Sequence, residues 1–150
     1  MKNIGISEFI NSPKVIIKTS IISDMRFLKN ISKKIKNVLN SKEFDKGDIF
    51  DLQVAFEEVL RNAIVHGNKS NLSKRVIVEV ELVGDTVKAC IEDEGKGFDP
   101  EILPDPTHEE NLLKENGRGV FLVKNLMDEV RYEAGGRIVT IVKTFKKSKP

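Results

Sequence analysis

The chain has no tryptophan, one tyrosine, one cysteine and two histidines among 150 residues. Each shortage removes a class of protein. The single Cys90 forms no internal disulfide, so the fold is not a disulfide scaffold. Neither CxxC nor HxxxH spacing occurs, which sets aside a zinc site. No apolar run approaches the ~20 residues that cross a bilayer, so no membrane partner is expected. The opening residues Met1 to Ile6 lack the apolar stretch of a signal peptide. Cys90 sits among apolar neighbours, as a buried thiol does in a reducing compartment. A cytoplasmic protein is the expectation. The net charge of +2 is too small to argue for direct nucleic acid binding. Lys146, Lys147 and Lys149 gather at the C-terminus and read as a frayed, solubilising tail.

What is present suits one folded unit. Hydrophobic residues make up 39% and charged residues 32%, enough for a core under a soluble surface. We expect a single domain over residues 1–150, with its core at about 14–145. Lys14 to Ser20 is β-branched and reads as a strand. Ser23 or Asp24 then caps a helix whose apolar positions are Leu28, Ile31, Ile35, Val38 and Leu39. Asp48 is expected to cap a second helix, with Ile49, Leu52, Phe56, Val59 and Ala63 on its core face and Gly67-Asn68 as its stop. Arg75 to Val83 and Thr86 to Asp93 read as strands joined by a tight turn at Gly84-Asp85. The stretch from Phe98 to Asn116 carries Pro100, Pro104, Pro106 and many charges, with no clean period, and reads as an active-site lid. A third helix opens at Gly119, and two strands follow around Gly135-Gly136. Adjacent strands at both ends suggest hairpins. The expected class is α+β: a two-layer sandwich with helices on one face of a mixed, mostly antiparallel sheet.

Three motifs carry chemistry. Glu58 and Asn62 stand four residues apart on a helix, side by side on one face. A carboxylate beside a carboxamide can hold a hydroxyl and a hard metal ion together. Taken alone, such a pair is most often solvated surface, although an Asn inside a helix carries a cost. His66 lies one turn on and reads first as a helix-ending residue. Asp93-x-Gly95-x-Gly97-Phe98 follows a strand. Its glycines let the backbone turn and let a ligand come close, and a partly buried Asp93 needs a donor such as a purine amine. An ordinary acidic turn is the plain alternative. Gly117-Arg118-Gly119 stands just before a helix, where free N–H groups attract phosphate. A lid hinge and a solvated arginine are the plain alternatives. The pattern is neither a Walker loop nor a dinucleotide fingerprint.

In this order the three motifs resemble the Bergerat-fold (GHKL) ATPases, the superfamily of gyrase B, the histidine kinases and MutL. Glu58-x-x-x-Asn62-Ala63 resembles the asparagine box, and the two glycine motifs resemble the glycine boxes. Asn62-Ala63-x-x-His66-Gly67 and Leu126-Met127-Asp128-Glu129-Val130 are similar to the anti-sigma factor serine kinases, the RsbW and SpoIIAB type. The resemblance runs from about Lys14 to Phe145. It implies an ATP- and Mg2+-dependent protein-serine kinase that phosphorylates an anti-anti-sigma (STAS-domain) protein, sequesters a sigma factor, and forms a homodimer. Glu58 is then the general base and Asn62 the metal ligand. Asp93 would bind the adenine amine, with Gly95, Gly97 and Phe98 around the base, and Gly117, Arg118 and Gly119 would lie by the phosphates; His66 joins the nucleotide-binding set. Family members often carry a Thr soon after the last turn. Here Arg137 and Ile138 stand there, with Thr140 beyond them. The alternative function is a non-catalytic ATP-binding module that holds a protein partner.

Overall fold

The computed structural model describes residues 13–96 and 115–149. Strand β1 spans Lys14–Ile22 and is followed by helix α1, Arg26–Asn40. Helix α2 spans Lys46–Arg61 and runs into a π-helix, Asn62–Gly67. Strands β2 (Arg75–Val83) and β3 (Thr86–Glu92) form a hairpin. Helix α3 spans Glu115–Leu126, and β4 (Glu129–Glu133) and β5 (Ile138–Thr144) close the chain. The five strands lie in the order β1-β2-β3-β5-β4. Every neighbouring pair is antiparallel, so the sheet is more uniform than the mixed sheet expected. The α+β two-layer class is as expected.

Side-chain period decides which face of the sheet is covered. Val76, Val78, Val80 and Leu82 alternate along β2 and are all buried. Val87, Ala89 and Ile91 do the same on β3, and Val139 and Ile141 on β5. The helices bring Leu28, Ile31, Ile35 and Leu39 from α1, and Ile49, Leu52, Phe56, Val59 and Leu60 from α2. Helix α2 packs against both α1 and α3. Each large side chain removed from water contributes roughly 1.5–3 kcal/mol. The other face of the sheet is polar: Glu79, Glu81, Lys88, Arg131 and Glu133 line a shallow cavity there. The β2–β3 turn is at Gly84, whose φ of 60° fits a two-residue hairpin.

Several local expectations change. Asp45, not Asp48, caps α2: its side chain accepts from the Asp48 N–H at 3.1 Å. Asp48 is turned elsewhere, accepting from the Lys146 N–H at 2.9 Å and standing 4.0 Å from the buried Lys143 ammonium. Lys143 also donates to the Leu126 carbonyl at 3.0 Å, closing the end of α3. Helix α1 begins after Met25, and Asp24 accepts from the Arg26 N–H instead of capping in the usual sense. The C-terminal lysines are not frayed. The Asp45 N–H donates to the Lys146 carbonyl, the Ser148 N–H donates to the Glu43 carbonyl, and Lys147 lies 5.1 Å above the Phe44 ring. Backbone bonding to the α1–α2 connection holds the tail. Finally, Gly117 and Gly119 lie inside α3, because the helix starts at Glu115 rather than at Gly119.

Candidate functional site

Two clusters form at the two ends of the π-helix. The first is at the end of α2. Glu58 sits in its last turn, and Asn62 opens the π-helix four residues on. Glu58 Oε1 and Asn62 Oδ1 are buried, and neither has a hydrogen-bond partner among the described residues. Two such atoms so close in sequence are unusual, because buried polar groups are nearly always satisfied. The other carboxylate oxygen, Oε2, accepts from Arg61 Nη2 at 2.5 Å. Helix α3 closes over the carboxylate. A Cβ placed on Gly119 would overlap Glu58 Oε1. Glycine at 119 therefore serves the close approach of the Glu58 carboxylate and not a special backbone angle. Sequence order separates the asparagine motif from the second glycine motif by more than fifty residues; packing puts them in contact.

The second cluster is at Gly67, the last residue of the π-helix. Gly67 has no positive φ; the left-handed backbone comes two and three residues later, at Lys69 and Ser70, with φ of 54° and 55°. Gly67 serves space instead of turning: a Cβ there would strike the Asp93 carboxylate. A Cβ on Gly95 would strike the Gly67 carbonyl. Asp93 is buried just beyond β3, and its Oδ1 accepts from the Gly95 N–H at 2.7 Å. Burial raises the Asp93 carboxyl above the usual aspartate value, and the Gly95 N–H and Arg137 pull it part of the way back. The wider turn from Asn62 lets the Asn68 N–H reach the Ala63 carbonyl five residues back. Such a π segment often marks a functional site.

Asn68 is the residue that motif reasoning missed. It is buried, and its side chain makes three hydrogen bonds. Nδ2 donates to Ser23 Oγ at 2.9 Å and to the Arg75 carbonyl at 3.0 Å, while Oδ1 accepts from the Glu94 N–H at 2.8 Å. Glu94 in turn accepts from the Arg75 N–H at 2.7 Å. This network ties the glycine loop to the start of β2. The sequence signal for it was slight, since Asn after Gly also reads as a helix stop. Arg61 was missed as well, although its spacing of three from Glu58 made the pair legible.

The remaining candidates divide. His66 is exposed on the π-helix, and Arg118 is exposed on α3. Gly117 lies in the first turn of α3. Gly97 and Phe98 fall outside the described residues. Thr140 pairs across the sheet with Cys90 and lines the polar cavity on the face away from the helices, apart from Asp93. The backbone at Arg137 is the nearer neighbour: its carbonyl accepts from the Asp93 N–H at 2.9 Å.

The arrangement suits a ligand that brings hydrogen-bond donors to one end of the π-helix and a cation or a hydroxyl to the other. One end offers a buried carboxylate, and the other a buried carboxylate oxygen beside an amide oxygen. Among the described residues no group of three or more His, Cys, Asp or Glu could hold a metal by itself. Asn62 Oδ1 is nonetheless a hard oxygen without a donor, which fits a magnesium ion that keeps waters and phosphate oxygens as its other ligands. No helix among the described residues is long and apolar enough to cross a membrane.

Comparison with known proteins bears on the same region. The family model for the histidine kinase-like ATPase domain matches residues 22–143. The serine-protein kinase RsbW of Staphylococcus aureus, strains MSSA476 and MW2, is 34% identical over 108 residues, 67% of this chain and 68% of that protein. The crystal structure of the RsbU and RsbW domains of Rv1364c from Mycobacterium tuberculosis superposes with a TM-score of 0.60 at 20% identity. That match covers 93% of this chain but spans only 33% of the solved chain, and it speaks to the fold alone.

Proposed function

We propose, from the premise that the chain belongs to the histidine kinase-like ATPase domain family, that it is an ATP-dependent protein-serine kinase of the RsbW type acting as a partner-switching anti-sigma factor. The observation that carries the reading is the pair of buried, unpartnered oxygens, Glu58 Oε1 and Asn62 Oδ1, under the first turns of α3. Such atoms are stabilised only when a ligand supplies the missing partners.

The roles follow from position. Glu58 Oε1 takes the proton of the attacking serine hydroxyl. The serine oxygen forms its bond to the γ-phosphorus as the bond to the β–γ bridging oxygen breaks, and ADP leaves with that electron pair. Asn62 Oδ1 holds Mg2+, which when bound offsets the charge of the phosphates. Gly117, Arg118 and Gly119 lie at the N-terminal turns of α3, where the helix dipole and free N–H groups favour the phosphates. Asp93 accepts from the adenine amine, Gly67 leaves room for the Asp93 carboxylate, and Gly95 lies at the same adenine end. Gly97 and Phe98 complete the adenine end, and His66 borders the nucleotide; for these three the assignment rests on resemblance. The acceptor is a serine of an anti-anti-sigma STAS-domain protein. We further propose one domain over the whole chain, a homodimer, and a cytoplasmic setting.

Incubation of the purified chain with Mg-ATP and purified STAS-domain proteins tests this. Phosphoserine on one of them is the expected result. ATP binding by calorimetry with no phosphoserine on any acceptor would leave only the role of a non-catalytic binding module.

A further inference from the structure

The geometry points to Arg61 as the positioning residue for Glu58: by holding Oε2, it aims Oε1 at the reacting hydroxyl. This rests on the kinase reading above and adds a residue to it. The two oxygens of the carboxylate have unequal surroundings. Oε2 accepts from Arg61 Nη2 at 2.5 Å, one helical turn away on α2. Oε1 is buried, has no partner among the described residues, and lies against the Gly119 backbone.

An exposed pair at this spacing would matter little. This pair is not of that kind. The Glu58 side chain is 11% exposed and that of Arg61 33%. A glutamate has three side-chain torsions, and among the described residues Arg61 is the polar partner that holds them: α3 presents Gly119, with no polar side-chain atom of its own, and Arg118 beside it is exposed. Without a hold on Oε2, the carboxylate is free to rotate and to direct either oxygen toward solvent. With it, one rotamer places Oε1 beneath the helix start proposed to carry the phosphates. A proton acceptor must lie within hydrogen-bond reach of the proton it takes, and small misplacements of a reacting group cost heavily in rate. Arginine suits the task because its rigid fork loses little freedom on binding a carboxylate.

The step served is the same when water replaces serine. Water gives its proton to Glu58 Oε1, its oxygen bonds to the γ-phosphorus, the bridging bond breaks and ADP departs. Single-turnover release of phosphate from Mg-ATP is therefore a partner-free readout, to be run beside the phosphoserine assay. Arg61→Gln is expected to slow both about tenfold to hundredfold, while the Kd for Mg-ATP stays at its wild-type value and the Tm falls only modestly, since Gln can still donate to Oε2. Arg61→Lys, which keeps a cation in reach, is expected to recover most of the rate. An unchanged rate in Arg61→Gln, with the wild type active, overturns this proposal alone. So does a rate loss matched by equal losses in Kd and Tm that Lys fails to rescue, since that pattern marks a merely structural residue. A wild-type chain that turns over Mg-ATP in neither assay overturns the kinase reading and takes this proposal with it.

Discussion

The two ends of the π-helix are built on opposite terms. At Gly67 the polar groups are met within the protein: Asp93 by Gly95, and Asn68 by Ser23, Arg75 and Glu94. At Asn62 two buried oxygens are left over. The first end is assembled before any ligand arrives. The second holds unmet hydrogen-bonding capacity, which stabilises a bound ligand more than it stabilises the fold. The difference teaches how labour is divided in such a site. The end proposed for adenine is a fixed socket, while the end proposed for phosphate gains its last partners from the substrate.

Substitutions at the two ends should therefore fail differently. The largest effect is expected at Glu58. Glu58→Gln keeps the shape but removes the base, and should slow phosphotransfer by ~10²–10⁴ with Mg-ATP affinity kept. Equal rates for this variant and the wild type would remove Glu58 from the chemistry. Next is Gly119→Ala. The new methyl group meets the Glu58 carboxylate, the movable end of a side chain, so the carboxylate shifts and the helix does not. Turnover should fall roughly 10–100-fold. The Tm should hold or rise, since Ala is favoured over Gly inside a helix by up to ~1 kcal/mol. A large drop in Tm would show that the backbone, not Glu58, gives way.

At the other end, Asp93→Asn should weaken Mg-ATP binding by roughly 10–100-fold, the value of one hydrogen bond to a charged group. Its effect on stability has the opposite sign. Burial raises the folded-state pKa of Asp93, so the folded protein favours the protonated form. The stability this carboxyl contributes is fully present below its ordinary, unfolded-state value and is lost as pH rises through the raised folded value. The Asn variant carries no such loss. Its Tm should exceed that of the wild type at neutral pH, and the gap should close under acid. A gap that does not change with pH would refute the assignment of the burial cost to Asp93. The smallest effect is on Asn68. Asn68→Ala leaves the Glu94 N–H and the Arg75 carbonyl without that partner, at a cost of roughly 1–3 kcal/mol in denaturant unfolding. The rate at saturating Mg-ATP should be unchanged, because the assembled end does no chemistry.

Much of this was legible in the chain. The period of two in Val76, Val78, Val80 and Leu82 gave β2, and the helical spacing of Ile49, Leu52, Phe56 and Val59 gave the core face of α2. Glu58 and Asn62 were legible because helical spacing alone makes them neighbours. Where reading from the sequence went astray, a long-range partner had taken over a local role. Asp48 has the chemistry of a cap, yet Lys146 from the far end of the chain engages it and Asp45 caps instead. The terminal lysines look like a solvated tail until the strand-like bridge between Phe44 and Lys147 holds them. Gly67 and Asn68 read as a helix stop, although their weight lies in contacts with Asp93 and Glu94.

The sequence by itself determined the elements, the buried faces and the identity of the groups able to do chemistry, because these depend on residue type and on spacing within one helix or strand. Only the tertiary structure decided that Gly119 presses on Glu58, that Gly67 seats Asp93, and that two oxygens are left without partners. Those are properties of contacts between distant segments. Whether a polar atom is satisfied depends on everything packed around it, and no local pattern carries that information.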